Sequence, residues 1–247
     1  MFLPTTSEEV KKLGWDSLDI ILVSGDTYID SSYNGSALIG KWLLKNGFKV
    51  GIIAQPDINS PADITRLGEP KLYWAVSAGC VDSMVANYTA TKKKRHKDDF
   101  TPGGENTKRP DRASIVYTGL IKRFFKNSKT PIVLGGIEAS LRRIVHYDYW
   151  SNQLRRSLIF DAKADILSYG MGEKSMLELA QNIRDGKDYK NIRGLAYISK
   201  EPNKNYITVP SFEECREDKF KFIEMFNIFY KNCDSITAKG LNQKHGD

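Results

Sequence analysis

Six short apolar runs punctuate the chain: Leu18–Val23, Lys49–Ala54, Lys71–Ser77, Ile132–Leu134, Ala164–Tyr169 and Gly194–Ser199. Each is too short for a buried helix, and most are separated by stretches with apolar residues at helical spacing. Ser36–Asn46 carries Ala37, Leu38, Trp42, Leu43 and Leu44 and is closed by Asn46-Gly47. The other helical stretches are a short one near Ala62–Leu67, a turn within Cys80–Thr91, then Asp111–Lys126, Lys174–Asp185 and Phe212–Asn232. Strands alternating with helices predict an α/β fold, doubly wound around a mostly parallel open sheet, Rossmann-like, with a C-terminal helix. The sixth run reads as an edge strand, Ile207–Val209 as its partner, and the tail from Ala238 as an end without a hydrophobic stop.

In such a sheet, ligands sit beyond the carboxyl ends of the strands. The residues there carry the chemistry of this chain. After the first run come Asp26, Tyr28, Asp30 and Tyr33; after the third, Asp82 and Tyr88. After the fourth, PIVLGGIEASLRRIVHYDYW sets Gly135, Gly136, Glu138, Ser140, Arg142, Arg143, His146, Tyr147, Tyr149 and Trp150 in quick succession. After the fifth come Gly170, Gly172 and Glu173. Glycines let backbone approach a ligand closely, and also serve ordinary tight turns. Helix starts at this rim offer free N–H groups to phosphate or carboxylate. Asp26 and Glu138 are candidates for an acid and a base. The pocket reading requires Asp26, Glu138 and Glu173 to share one edge of the sheet. Tyr147, Tyr149 and Trp150 beside Arg142, Arg143, Arg155 and Arg156 suit a flat ring or nucleobase. They suit equally a helix that packs its aromatic face while its arginines snorkel.

Several classes are excluded. No G-x-G-x-x-G follows the first run, and neither G-x-x-x-x-G-K-[ST] nor G-x-S-x-G occurs. His96, His146 and His245 are too scattered for a zinc site with Cys80, Cys215 and Cys233. No apolar run is long enough to span a membrane and no leader pattern opens the chain, so no membrane partner is expected. Three distant cysteines without CxxC point to free thiols and a cytoplasmic setting. The net charge of +7 is partly local. Lys92, Lys93, Lys94, Arg95, Lys97, Lys108, Arg109 and Arg112 face only four acidic residues in one irregular stretch. It reads as a solvated loop, with RNA or phosphate as the alternative partner.

Taken together, GWDSLDIILVSGDTYID, GFKVGIIAQPD, VDSMVANYTA, FTPGGENTKRPDR, PIVLGGIEASLRRIVHYDYWS and DAKADILSYGMGEKSMLELA resemble the N-terminal domain of YgiQ-type radical SAM proteins. The likeness runs through essentially the whole chain. It implies a radical SAM barrel elsewhere in the polypeptide, whose CxxxCxxC thiolates hold a 4Fe-4S cluster that cleaves S-adenosylmethionine to a 5′-deoxyadenosyl radical. The three cysteines here do not match that motif. The resemblance therefore implies the front part of a longer enzyme, ending before the cluster loop and inactive alone. Residues 1–200 would form the α/β domain and 201–247 a hairpin and helical extension leading to the barrel. Through IGKWLLKNGFKVGII, VLGGIEAS, SYGMGEKSMLEL and GLAYIS it is also similar to cobalamin-binding-type sheets. The D-x-H-x-x-G loop is missing. A degenerate domain without cobalamin is the expectation, and cobalamin held without a protein ligand is the alternative. The strand-end residues would shape the substrate side of the barrel's active site, for a small molecule or an RNA. The rival readings are an RNA- or phosphate-binding module and a docking domain without ligand.

Overall fold

The structure, a computed structural model, describes residues 1–28, 34–234 and 236–246. The chain opens with α1 (Ser7–Lys12), started by a Thr6/Glu9 capping box. The first crossover unit is β1 (Ile20–Ser24), α2 (Gly35–Lys45) and β2 (Val50–Ala54). Asn34 caps α2 by accepting the Ala37 N–H at 3.1 Å. Next come α3 (Pro61–Thr65), β3 (Tyr73–Ser77) and α4 (Ser83–Asn87). A long irregular segment then leads to α5 (Ala113–Phe124) and β4 (Ile132–Gly135). After β4 stand α6 (Gly136–Leu141), β5 (His146–Asp148), β6 (Gln153–Arg155) and α7 (Leu158–Ala162). The sheet resumes with β7 (Ile166–Ser168), α8 (Gly172–Arg184) and β8 (Leu195–Tyr197). The chain finishes with β9 (Ile207–Val209), α9 (Phe212–Glu217), α10 (Lys219–Lys231) and β10 (Leu241–Gln243).

The main sheet has the order β2-β1-β3-β4-β7-β8. Its first five strands are parallel, in registers such as Leu22 opposite Ile52 and Ala75; β8 closes the edge antiparallel to β7. Both faces are buried, as parallel sheets require. Alternate residues split between them. Ile21, Val23, Ile53, Trp74, Val76 and Leu134 face a core built with α3, α5 and α7. Ile20, Leu22, Val50, Ile52, Tyr73 and Val133 face the core under α2 and α8. This is the doubly wound α/β fold that the six runs foretell. Among the described residues, no helix is long and apolar enough to cross a membrane.

Beyond β8 the expectations need correction. Ile207–Val209 does not pair with the sixth strand. Its partner is β10 in the tail, parallel, with Ile207 opposite Leu241 and Val209 opposite Gln243. The single helix expected over Phe212–Asn232 is broken at Asp218, whose extended backbone ends α9 while its side chain accepts the Phe220 N–H and starts α10. The aromatic stretch after α6 is no helix either. Tyr147 pairs with Leu154 in the antiparallel β5–β6 hairpin, because β-branched and aromatic residues from Ile144 favour extended backbone and Asn152 takes a positive φ of 52° at the turn. A third core joins this hairpin to the C-terminal elements through Val145, Val209, Cys215 and Met225.

Candidate functional site

Because β1, β3, β4 and β7 run parallel, the loops after them meet on one edge. Asp26, Asp82, Glu138 and Glu173 all belong to that carboxyl rim, and the order β2-β1-β3 puts the reversal of winding between β1 and β3.

The β1/β3 crevice is filled by the protein itself. A Cβ on Gly25 would stand 2.1 Å from the Ala78 carbonyl oxygen, so the two loops touch backbone to backbone. Asp26 is buried and accepts the Cys80 N–H at 2.6 Å. The Arg109 guanidinium, itself fully buried, reaches Asp26 at 2.5 Å and Asp98 at 3.2 Å, and its Nε donates to the Gly25 carbonyl at 3.0 Å. Gln55 bridges the Gly25 carbonyl and the Thr101 hydroxyl, and the Thr27 N–H donates to Phe100 O at 2.9 Å. Residues 98–109, expected as part of a solvated loop, thus lie over the crevice as a stopper. Arg109 was not distinguishable in sequence from its lysine neighbours; the one local hint is the proline that follows it.

Between β3 and β4 the carboxylates are also engaged internally. Asp82 caps α4, accepting the Met84 N–H at 2.9 Å, and pairs with Arg142. Buried Glu138 accepts the Ser83 N–H at 2.9 Å, the Ser83 hydroxyl at 2.5 Å and the Ser114 N–H at 3.1 Å. The Ser83 hydroxyl in turn accepts the Ala113 N–H. Arg112, the residue before α5, has a left-handed backbone and no side-chain cap, so a carboxylate on α6 caps α5 from outside. Gly136 is needed where it stands: its φ is +81° and a Cβ would meet Ser77 Oγ at 2.6 Å.

The rim between β4 and β7 is different. Ser140 accepts the Gly170 N–H at 3.1 Å, tying α6 to the loop before α8. Arg143 lies 4.6 Å from the ring centroids of both Tyr169 and Phe229. Around these ties three apolar side chains stand in solvent: Met171 is 85% exposed, Leu141 65% and Ile137 47%. Glu173 is half-exposed in the first turn of α8, beside Gly172, and Gly170 has a φ of +72°.

The remaining candidates are dispersed. The Tyr28 hydroxyl accepts the Leu3 N–H; Asp30 and Tyr33 fall outside the described residues. Tyr147 donates to Asn152, and Tyr149 donates to Ala90 O at 2.7 Å. Under the hairpin, burial pushes the Asp148 carboxyl up, but Arg112 at 2.7 Å and the Ser151 hydroxyl outweigh it and hold the pKa at about 2. His146 stands beneath the same hairpin with Nδ1 3.1 Å from Ile144 O, and burial pushes its pKa down to about 4. It is a neutral packed ring rather than a base at the rim. His245 is packed beside Phe160 and Phe212 and is also lowered to about 4, chiefly by burial.

Among the described residues the thiols do not fit an iron–sulfur cluster. A cluster needs converging thiolates. Cys80 lies beside Asp26, with its thiol pushed up to about 12 by burial and then by that carboxylate. Cys215 is buried in the third core and Cys233 is exposed after α10. Among the described residues no three His, Cys, Asp or Glu side chains are grouped to hold a metal ion. The crevice that a cobalamin-type sheet would offer is occupied by the Arg109 stopper.

The described residues form a doubly wound α/β sheet whose strand-end loops gather on one carboxyl rim. The family comparison is specific: the radical SAM N-terminal model matches residues 2–247, and the chain belongs to that family. It is 67% identical over 246 residues to a UPF0313 protein of Fusobacterium nucleatum subsp. nucleatum, covering all of this chain and 43% of that protein. UPF0313 proteins of Thermotoga petrophila and Clostridium botulinum are 56% and 50% identical, with 40% and 39% of their lengths covered. The chain therefore spans about two-fifths of these relatives. In fold it is similar to the radical S-adenosylmethionine methyltransferase TsrM of Kitasatospora setae, solved with tryptophan and an S-adenosylmethionine analogue. The TM-score is 0.50 at 18% identity, over 76% of this chain and 31% of that one. A second TsrM structure, with cobalamin and a [4Fe-4S] cluster, matches at the same TM-score over 74% of this chain and 28% of TsrM.

Proposed function

We propose that this chain shapes the substrate side of a radical SAM active site in full-length proteins of its family, and does no radical chemistry alone. The cluster and S-adenosylmethionine, supplied by another part of such a protein, would furnish the radical. The residues of this chain would enclose and orient, and would hold neither cluster nor cobalamin. A reducing, cytoplasmic setting suits its free thiols.

The observation that carries this reading is the uncovered β4/β7 rim. Met171, Leu141 and Ile137 expose apolar surface beside glycine backbone, on the edge where sheets of this kind meet their ligands. The sealed β1/β3 crevice would then be scaffold, and Gly170, Gly172, Glu173 and Ser140 the groups nearest the reaction. Relatives more than twice as long leave ample chain to cover this rim.

The test is a full-length protein carrying this sequence with Met171→Asp and Leu141→Asp. Iron content is expected to stay unchanged, while 5′-deoxyadenosine formation falls tenfold or more. Unchanged formation would contradict a role for this rim.

A further inference from the structure

The fold brings together two segments that the sequence keeps more than fifty residues apart. The loop after α4 folds back through the Tyr88–Lys94 bridge and presents Lys92, Lys93 and Lys94 at its tip, all exposed. The β5–β6 hairpin stands against it, tied by the Tyr149 hydroxyl to Ala90 O and by Lys92 Nζ to Trp150 O at 3.4 Å. Three rings form a continuous ledge along this seam. Tyr88 and Trp150 have centroids 5.4 Å apart, and Tyr149 and Trp150 5.3 Å. Lys92 Nζ lies 4.7 Å from the Tyr149 ring centre. Tyr149 is 47% exposed and neighbouring Tyr147 51%.

The acidic groups nearby cancel only part of this charge. Asp98 is held by Arg109, Asp148 by Arg112 beneath the hairpin, and Asp111 accepts from the Tyr88 hydroxyl at 2.6 Å. Arg95, Lys97 and Lys108 extend the exposed basic surface, and Asp99 and Glu105 are its only exposed acids besides Asp111 in that stretch.

We infer that this lysine-rimmed aromatic ledge is a binding site for single-stranded nucleic acid. Ammonium groups track a phosphate backbone, and the exposed Tyr149 ring, backed by half-buried Trp150 and Tyr88, offers a π-face to unstacked bases; each alone is common, and their junction is the signature of single-strand binding. A duplex keeps its bases inside and would use only the lysines. This inference is independent of the radical SAM reading, since it concerns binding by this chain alone.

The test is fluorescence anisotropy of the 247-residue chain with labelled twelve-nucleotide oligo-U and oligo-dT, over a range of salt concentrations. Either oligonucleotide binding saturably supports the site, and the stronger one names the sugar. Lys92→Ala/Lys93→Ala/Lys94→Ala is expected to weaken binding at least tenfold and to reduce the magnitude of the salt slope by about 2. The Lys93→Ala/Lys94→Ala pair serves if the triple variant misfolds. Tyr149→Ala is expected to weaken binding about tenfold at unchanged salt slope, and Tyr149→Phe to retain most of it. Failure to bind at low salt overturns the inference. So does equal affinity for duplex RNA, insensitivity to the lysine variants, an equal loss in Tyr149→Phe and Tyr149→Ala, or preference for phosphatidylserine vesicles.

Discussion

Two stretches of one rim have the same kind of sequence and opposite fates. After β1 and after β4 the chain runs from apolar strand to glycine to carboxylate. At β1/β3 the carboxylate of Asp26 is buried against Arg109, and residues 98–109 close the crevice. After β4, Glu138 turns towards the β3 side to cap neighbouring helices, and the rim beyond it, between β4 and β7, leaves Met171, Leu141 and Ile137 in water. A glycine and a carboxylate after a strand therefore mark where chain segments converge. Whether that convergence is filled from within depends on side chains far away in sequence.

The sharpest way to break the contrast is to unplug the sealed half. Arg109→Met would leave Asp26 and Asp98 buried without a countercharge. We expect a loss of about 3–5 kcal/mol in chemical denaturation. A loss under about 1 kcal/mol would mean the stopper is not structural. Glu138→Ala removes the acceptor for two helix-start N–H groups and the Ser83 hydroxyl, and should cost about 2–4 kcal/mol in the same measurement.

Acid should act on the hairpin and C-terminal seam. An unfolded histidine takes up its proton near pH 6.5, while His146 and His245 do so only near 4 in the folded chain, chiefly because of burial. The unfolded state therefore binds more protons between those values. Stability is full above pH 6.5 and falls as the pH drops towards 4, by on the order of 2 kcal/mol for His146. Melting temperatures across that range check it, and His146→Gln should flatten the curve. The smallest effect belongs to the open half: Met171→Ser should change the stability of this chain by less than about 0.5 kcal/mol, since its side chain touches mainly water.

Legibility in the sequence followed range. The main-sheet strands and α2, α5 and α8 were readable because local apolar spacing and caps such as Asn34 coincide with what both buried faces demand. The strands β5, β6 and β10 were not, since their residues, His146–Asp148, Gln153–Arg155 and Leu241–Gln243, are mostly polar and form no apolar run. Nor was the break at Asp218, which interrupts no apolar pattern. At the rim, the positions of Asp26, Asp82 and Glu138 were legible, but their partners were not. Arg109 lies over eighty residues from Asp26, and nothing local separates it from Lys108.

The open rim is best tested by the rate at which peroxide oxidises each methionine, read by peptide mass spectrometry. In this chain Met171 should react fast, while buried Met84, Met176 and Met225 serve as slow internal controls. In a full-length protein carrying the same sequence, Met171 should become protected towards the rate of those controls. An equal Met171 rate in both would contradict the claim that this rim faces the rest of a radical SAM enzyme.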